Sequence, residues 1–275
     1  MNAQEIGRLL RKKSSLLNDS VCNNIRRLKK KAIENSDEQI ADQLWCYEEI
    51  FKIQKLYLQA YNNLKSAALA SDSLINEYDS EKSEKYELAW NELDQAEIEI
   101  SFLEKNFCIT ESTLSDFYID FILADIKKFQ SLFPYKFFTS REDIIKEQRC
   151  SICGQVVSVR HPCEHIPGRV YMGKLCIREI TDLEFLNVNI VTHPFDKFAI
   201  LKTKGKTFDF KILDYTVPYL KPYRNWNYKI ERRLRSQYLK VGRNDRCPCG
   251  SGMKFKYCIR KNPDLHFENH YIFIL

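Results

Sequence analysis

Seven of the ten cysteines fall in two short stretches, and their spacing is that of metal ligands. The first stretch reads Cys150-Ser-Ile-Cys153-Gly154, with Cys163-Glu164-His165 following. Two thiolates two residues apart can grip one ion from a tight turn, and Gly154 permits the positive φ such a turn needs. Cys163 and His165 would complete a tetrahedron, with His161 and Cys176 as competing ligands. The second stretch holds Cys247 and Cys249 with one residue between them, then Gly250-Ser251-Gly252, then Cys258. Three thiolates there need a fourth donor. His266 is the preferred one; His270, a water, or a fold that has lost its metal are the alternatives. Zinc is the expected ion at both sites, because it takes four nitrogen or sulfur donors. Coordination would then stand in for a core that segments of roughly 30 residues cannot build.

Three resemblances attach to these residues. The run Val-Gly-Arg-Asn-Asp-Arg-Cys247-Pro-Cys249-Gly-Ser-Gly with Cys258 beyond it closely resembles the SEC-C motif, first noted at the C-terminus of the SecA translocation ATPase. That resemblance implies a small zinc fold used as a docking unit, of the kind that contacts a chaperone partner in SecA. It departs from the family at the position after the last cysteine, Ile259, where the family has Cys or His. The central run, with Tyr171-x-Gly173-Lys-x-Cys176 and the segment 188–194, is similar to a stretch of phage head-associated and prophage proteins, and implies a portable zinc-stapled module. Cys-x2-Cys followed by Glu164-His165 also resembles the His-Asn-His (ββα-metal) nucleases. There Glu164 and His165 would be ligand and base, with Asn187 or Asn189 and His193 as partners. A second Cys-x2-Cys is missing, and His165 cannot both hold a structural zinc and act as a base.

No other catalytic set emerges. The phosphate-binding Gly-x4-Gly-Lys-Ser/Thr loop, Gly-x-Gly-x-x-Gly and Gly-x-Ser-x-Gly are absent. With no run of about 18 apolar residues and no secretory signal in the first residues, the chain is expected in the cytoplasm, where closely spaced cysteines are ligands before they are disulfides. Cys22, Cys46 and Cys108 stand apart and read as small buried apolar side chains.

The elements that must position these groups follow from periodicity. Residues 3–133 have almost no Gly and no Pro before Pro134. Their apolar stripes (Ile40, Leu44, Tyr47, Phe51, Tyr57, Tyr61, Leu64; then Leu88, Leu93, Ile98, Phe102) predict three or four helices in an antiparallel bundle or coiled-coil hairpin. Breaks are expected at 35–37, 71–81 and 110–115. Strands are predicted at 198–202 and 207–213, joined by a turn at 203–206, with a third at 188–192; 228–240 reads as a short helix. The expected fold class is α+β, with segments 1–140 (helical bundle), 148–218 (zinc knuckle and β-hairpin), 219–240 (basic and aromatic) and 241–275 (SEC-C-like motif).

Charge is divided unevenly. Residues 1–31 carry net +7, 32–220 net −10, 221–261 net +11 and 262–275 net −2. Basic ends on an acidic middle point to a polyanion partner or to ends that fold back. In 219–240, Arg224, Trp226, Arg232, Arg233 and Arg235 are candidate nucleic-acid contacts, since guanidinium groups meet phosphates and flat rings stack on bases. The sequence therefore predicts a zinc-binding, non-enzymatic adaptor that docks on a protein, nucleic-acid or ribosomal partner, with a role in phage–host conflict suggested by the phage likeness and self-association through the helices. The alternative is the metal-dependent nuclease.

Overall fold

The computed structural model describes residues 2–13, 18–70, 81–202 and 208–274. The chain divides into two compact units, Met1–Tyr223 and Arg224–Leu275.

The first unit is built on α1 (Ala3–Leu10), α2 (Asp19–Glu34), α3 (Glu38–Leu69), α4 (Glu81–Asn106) and α5 (Ile119–Leu132). Polar residues start the first three. Asn2 and Glu5 form a reciprocal capping box at α1, and the side chains of Asn18 and Asp37 accept backbone N–H groups at the starts of α2 and α3. Residues 35–37 turn with Ser36 at φ 56°, and 107–118 separate α4 from α5. The break expected at 71–81 lies mostly outside the described residues. Cross-links between α3 and α4 run in opposite order, Cys46 to Asn106, Lys52 to Glu99 and Asn63 to Glu92, so the two long helices are antiparallel. Trp45, Tyr47, Phe51, Tyr57 and Tyr61 are buried as expected. Ile40 and Leu88, placed on the predicted stripes, are instead about half exposed, and α4 buries Ala89, Leu93, Ala96, Ile100 and Leu103. Buried Gln54 donates to the carbonyls of both Leu10 and Phe117 at 2.9 Å, tying the end of α1 and the turn before α5 to α3.

From this helical base rises a two-stranded antiparallel ribbon, β1 (Phe138–Cys150) with β4 (Arg178–Val191). Between them lies the small hairpin of β2 (Val170–Tyr171) and β3 (Lys174–Leu175). The strand expected at 188–192 is thus the end of a longer one. The pair expected at 198–202 and 207–213 is replaced. Residues 199–201 run extended and bond to Phe137 and Thr139, and α6 (Lys211–Thr216) is helical; the turn at 203–206 lies outside the described residues. Packing decides this: Phe210 stacks on Tyr86 at 4.4 Å, joining the rings of Trp90, Phe133, Tyr135 and Phe138 in one aromatic cluster.

The ribbon is anchored at both ends. At its base Trp90 Nε1 donates to the Lys197 carbonyl (2.8 Å), and Lys197 N–H to buried Asp94 (3.1 Å). At its tip the Asn106 side chain, at the end of α4, donates to the Gly168 carbonyl (2.8 Å) and accepts from Val170 N–H (3.0 Å). Gly173 N–H donates to Asp42 on α3 (2.6 Å).

The second unit repeats the arrangement. Strands β5 (Asn227–Leu234) and β6 (Phe267–Ile274) pair in register from Asn227–Ile274 to Leu234–Phe267. The intervening residues 235–266 carry α7 (Phe255–Lys261) and α8 (Pro263–His266). The short helix expected at 228–240 is therefore a strand followed by one 3₁₀ turn, Ser236–Tyr238. Ile230 and Leu234 have helical spacing, but pairing with β6 overrides it.

Gly173 tests the tip anchor. Its φ is +69°, and a Cβ there would lie 2.9 Å from the Ala41 carbonyl oxygen. Gly173→Ala is expected to cost about 2 kcal/mol, read as a lower urea midpoint at unchanged slope, because the left-handed conformation and the backbone contact both oppose a side chain.

Candidate metal centres

The first donor group sits at the tip of the β1–β4 ribbon. Cys150 is the last residue of β1, and a tight turn follows: Gly154 N–H donates to the Cys150 carbonyl (2.8 Å) with Gly154 at φ +71°. That turn brings Cys153 back toward Cys150. The return leg through Gly168 and Cys176 is held by Gly168 N–H to Cys176 O and Cys176 N–H to Arg169 O, both 2.8 Å. Arg178 donates to the His165 carbonyl (2.7 Å), and the Tyr171 ring meets His165 edge-on at 4.8 Å. As a result one donor atom from each of Cys150, Cys153, Cys163 and His165 lies within 4.8 Å of all the others. The Nδ1 atom of His165 is buried with no hydrogen-bond partner among the described residues. That state is costly unless something binds there.

Cys150 is electrostatically prepared as a thiolate. Burial works to raise its pKa, but the backbone N–H groups of Cys153 and Ile152, together with the thiols of Cys153 and Cys163, outweigh it and bring the thiol down to about 6. Cys176 lies close by, fully buried, its Sγ 3.8 Å from that of Cys150. It stands outside the four-residue group, as do exposed His161 and Glu164.

The nuclease partners are elsewhere. Asn187 and Asn189 donate to Glu142 at 2.9 and 3.3 Å, and the ribbon register sets Asn187 opposite Glu142. Glu142 is eight residues along β1 from Cys150, a run of roughly 26 Å at about 3.3 Å per residue. His193 Nδ1 lies 2.9 Å from the hydroxyl of its neighbour Thr192, beyond the base end of β4. The structure does not bring these residues to His165.

The second group lies in the segment between β5 and β6. Positive φ at Gly250 (+81°) and Gly252 (+70°) turns the chain so that Cys247 N–H reaches the Met253 carbonyl (2.8 Å). Asp245 caps the approach, accepting from Gly242 N–H (2.8 Å). α7 then carries Cys258, and α8 ends on His266. Donor atoms of Cys247, Cys249, Cys258 and His266 all lie within 4.8 Å of one another. His266 is fully buried; its Nε2 is 3.1 Å from Cys247 Sγ, and its Nδ1 is 2.7 Å from the Asn262 carbonyl. With Nδ1–H donating to that carbonyl, Nε2 keeps a lone pair facing three sulfurs, which is how a ligating histidine is oriented. His270 is half-buried beside Glu268 and outside the group. The Ser251 hydroxyl, 3.2 Å from the sulfur, is the first cause that brings the Cys249 thiol down to about 6, whereas burial pushes Cys247 up to about 11.

Tyr238 and Phe255 enclose His266, with ring centroids 4.7 and 5.7 Å away, and form with Cys247 and Cys258 the small core of this unit. Tyr238 had no such role in the sequence reading. Asn262 was also missed; its place four residues before His266 is the helical spacing that could have marked it. Trp226, expected to offer a stacking face, is buried against Tyr228. Arg232 pairs with Asp264 and lies over Phe267, Arg233 pairs with Glu231 (2.7 Å), and Arg235 donates to the Phe267 carbonyl (3.3 Å); Arg224 is exposed.

Residues 243–258 match the SEC-C motif. A 23-residue stretch is 78% identical to the protein translocase subunit SecA of Treponema denticola, and covers 8% of this chain and 2% of that protein. No solved structure matches the chain, and the likeness of the central run to phage proteins is not shown by these matches. The motif and the two donor groups together suggest a bound metal ion. No helix among the described residues is long and apolar enough to cross a membrane.

Tyr238 provides a test of the second centre's core. Tyr238→Ala should cost the C-terminal unit about 3 kcal/mol, seen as early loss of its transition in urea, because it removes the ring packed on His266. Tyr238→Phe should stay within about 1 kcal/mol of the parent.

Proposed function

We propose that this protein is a zinc-stapled docking protein with no catalytic chemistry of its own. The observation that carries the reading is the composition of both donor groups: three thiols and one imidazole each, a full tetrahedral set that leaves no position for water or substrate. Cys150, Cys153, Cys163 and His165 would hold one ion, and Cys247, Cys249, Cys258 and His266 the other. Zinc suits such soft, four-coordinate donor sets. When bound, it supplies cross-linking energy to the loops; the residues around it orient the ligands and shape the surface.

That surface supports docking at the C-terminal tip. A shallow depression of about 440 Å³ is lined by Val241, Phe255 and Ile259 between Arg243, Lys256 and Arg260. Apolar floor and cationic rim suit an acidic protein segment with a few apolar side chains. The similarity to SecA over this stretch supports the same use, since the resemblance is to a motif read as a docking unit.

The experiment is metal analysis of protein purified without added zinc, beside Cys163→Ala, Cys249→Ala and an Arg243→Glu/Arg260→Glu double variant. Two zinc ions per chain are expected, with one lost in each cysteine variant. The double variant should keep both yet bind an acidic polypeptide such as poly-glutamate at least tenfold more weakly. Exchangeable magnesium or manganese at the central site, with nucleic-acid cleavage that disappears in His165→Ala, would overturn the reading.

A further inference from the structure

Besides Cys176, three cysteines lie outside both donor groups, Cys22, Cys46 and Cys108, and two of these meet. Cys46, in the N-terminal third of α3, is fully buried, and its Sγ lies 3.6 Å from that of Cys108. Cys108 is exposed, which corrects the expectation that all three are buried apolar side chains; it lies in the irregular segment just past α4. One thiol therefore faces solvent with a second directly behind it. Cys46 S–H also approaches the Asn106 carbonyl at 3.4 Å.

Their surroundings make this contact more than packing. Asn106 is the residue whose side chain seats Gly168 and Val170 of the first metal-bearing tip. Asp42, one turn before Cys46 on the same helix, accepts Gly173 N–H from that tip. The sulfur pair thus lies beside both hydrogen-bonded ties that seat the tip on the helices. Its contact with Cys46 holds the Cys108 thiol below the ordinary thiol value, while the same contact and burial hold Cys46 above it.

We propose that Cys46 and Cys108 are a peroxide-oxidisable dithiol, with Cys108 meeting the oxidant and Cys46 resolving it. The Cys108 thiolate attacks one oxygen of hydrogen peroxide; the O–O bond breaks, and the departing hydroxide takes up the proton the thiol gave away, leaving as water. Cys108 is then a sulfenic acid. The Cys46 sulfur attacks the Cys108 sulfur, the S–O bond breaks, and hydroxide leaves with the Cys46 proton as a second water. Two thiols and one peroxide give one disulfide and two waters, a two-electron oxidation. An S–S bond of about 2.05 Å requires the sulfurs to close by about 1.5 Å. The irregular chain around Cys108 can make that move, whereas Cys46 is fixed in α3. Closure removes the Cys46 thiol proton from the Asn106 carbonyl and draws the chain after Asn106 toward α3, at the seat of the tip.

The test treats the full-length, zinc-loaded chain with equimolar hydrogen peroxide, blocks remaining thiols and maps peptides by mass, with zinc release followed in parallel. Wild type should give a peptide linked through Cys46 and Cys108, reversed by dithiothreitol, before zinc is released. Cys46→Ser should convert the product to a dimedone-trapped sulfenic acid at Cys108, and Cys108→Ser should leave Cys46 reduced. Oxidation of Cys108 to sulfinic acid in wild type with no linked peptide would overturn the proposal. So would zinc release and ligand oxidation while both thiols stay reduced.

Discussion

Two antiparallel strands with solvent on both sides do not hold themselves together, and this constraint governs both units. Isolated two-stranded ribbons are marginal in water. β4 is exposed along nearly its whole length, and the C-terminal unit has a core of only a few side chains. What each ribbon has instead is a donor group in the segment that joins its strands. Cys150 is the last residue of β1, and His266 is the residue before β6. Closing a loop of this size costs about 3.5 kcal/mol on a chain-entropy account. A structural zinc site releases about 10–16 kcal/mol at neutral pH, so the zinc binding proposed here would outweigh closure with a large margin.

The two ribbons differ in what else holds them. The first has a second attachment, since its tip is seated on α3 and α4 by Asp42 and Asn106 and its base by Trp90 and Asp94. The second packs its candidate metal ligands into its own small core, with His266 between Tyr238 and Phe255. The same set of three cysteines and one histidine therefore occurs in two designs: a module clamped onto a helical base, and a tip whose core includes its candidate metal ligands. In the second, the depression around Phe255 and Ile259, proposed above as a docking surface, involves the helix that carries Cys258.

The sequence made the chemistry legible before the fold. Cysteine spacing grouped the ligands because a tight turn with a glycine at positive φ is a local device, and Gly154, Gly250 and Gly252 adopt that conformation. The helical region was legible for the same reason: sustained periodicity with almost no Gly and no Pro is a local signal. The ribbons were not. β1 is rich in charge and exposed on both faces, so it shows little of the alternation that marks a half-buried strand. β5 carries Ile230 and Leu234 at helical spacing, and only the partner strand, more than 30 residues away, resolves it. Trp226 and Tyr238 looked like a basic aromatic binding segment because sequence shows ring type but not which rings turn inward.

The most direct measurement is amide hydrogen exchange on the metal-loaded protein and on the same protein after chelation. The account predicts that chelation abolishes protection in β5 and β6, weakens it in β1 and β4, and leaves α3 and α4 unchanged. Undiminished protection of β5 and β6 without metal would contradict the claim that coordination holds these ribbons closed.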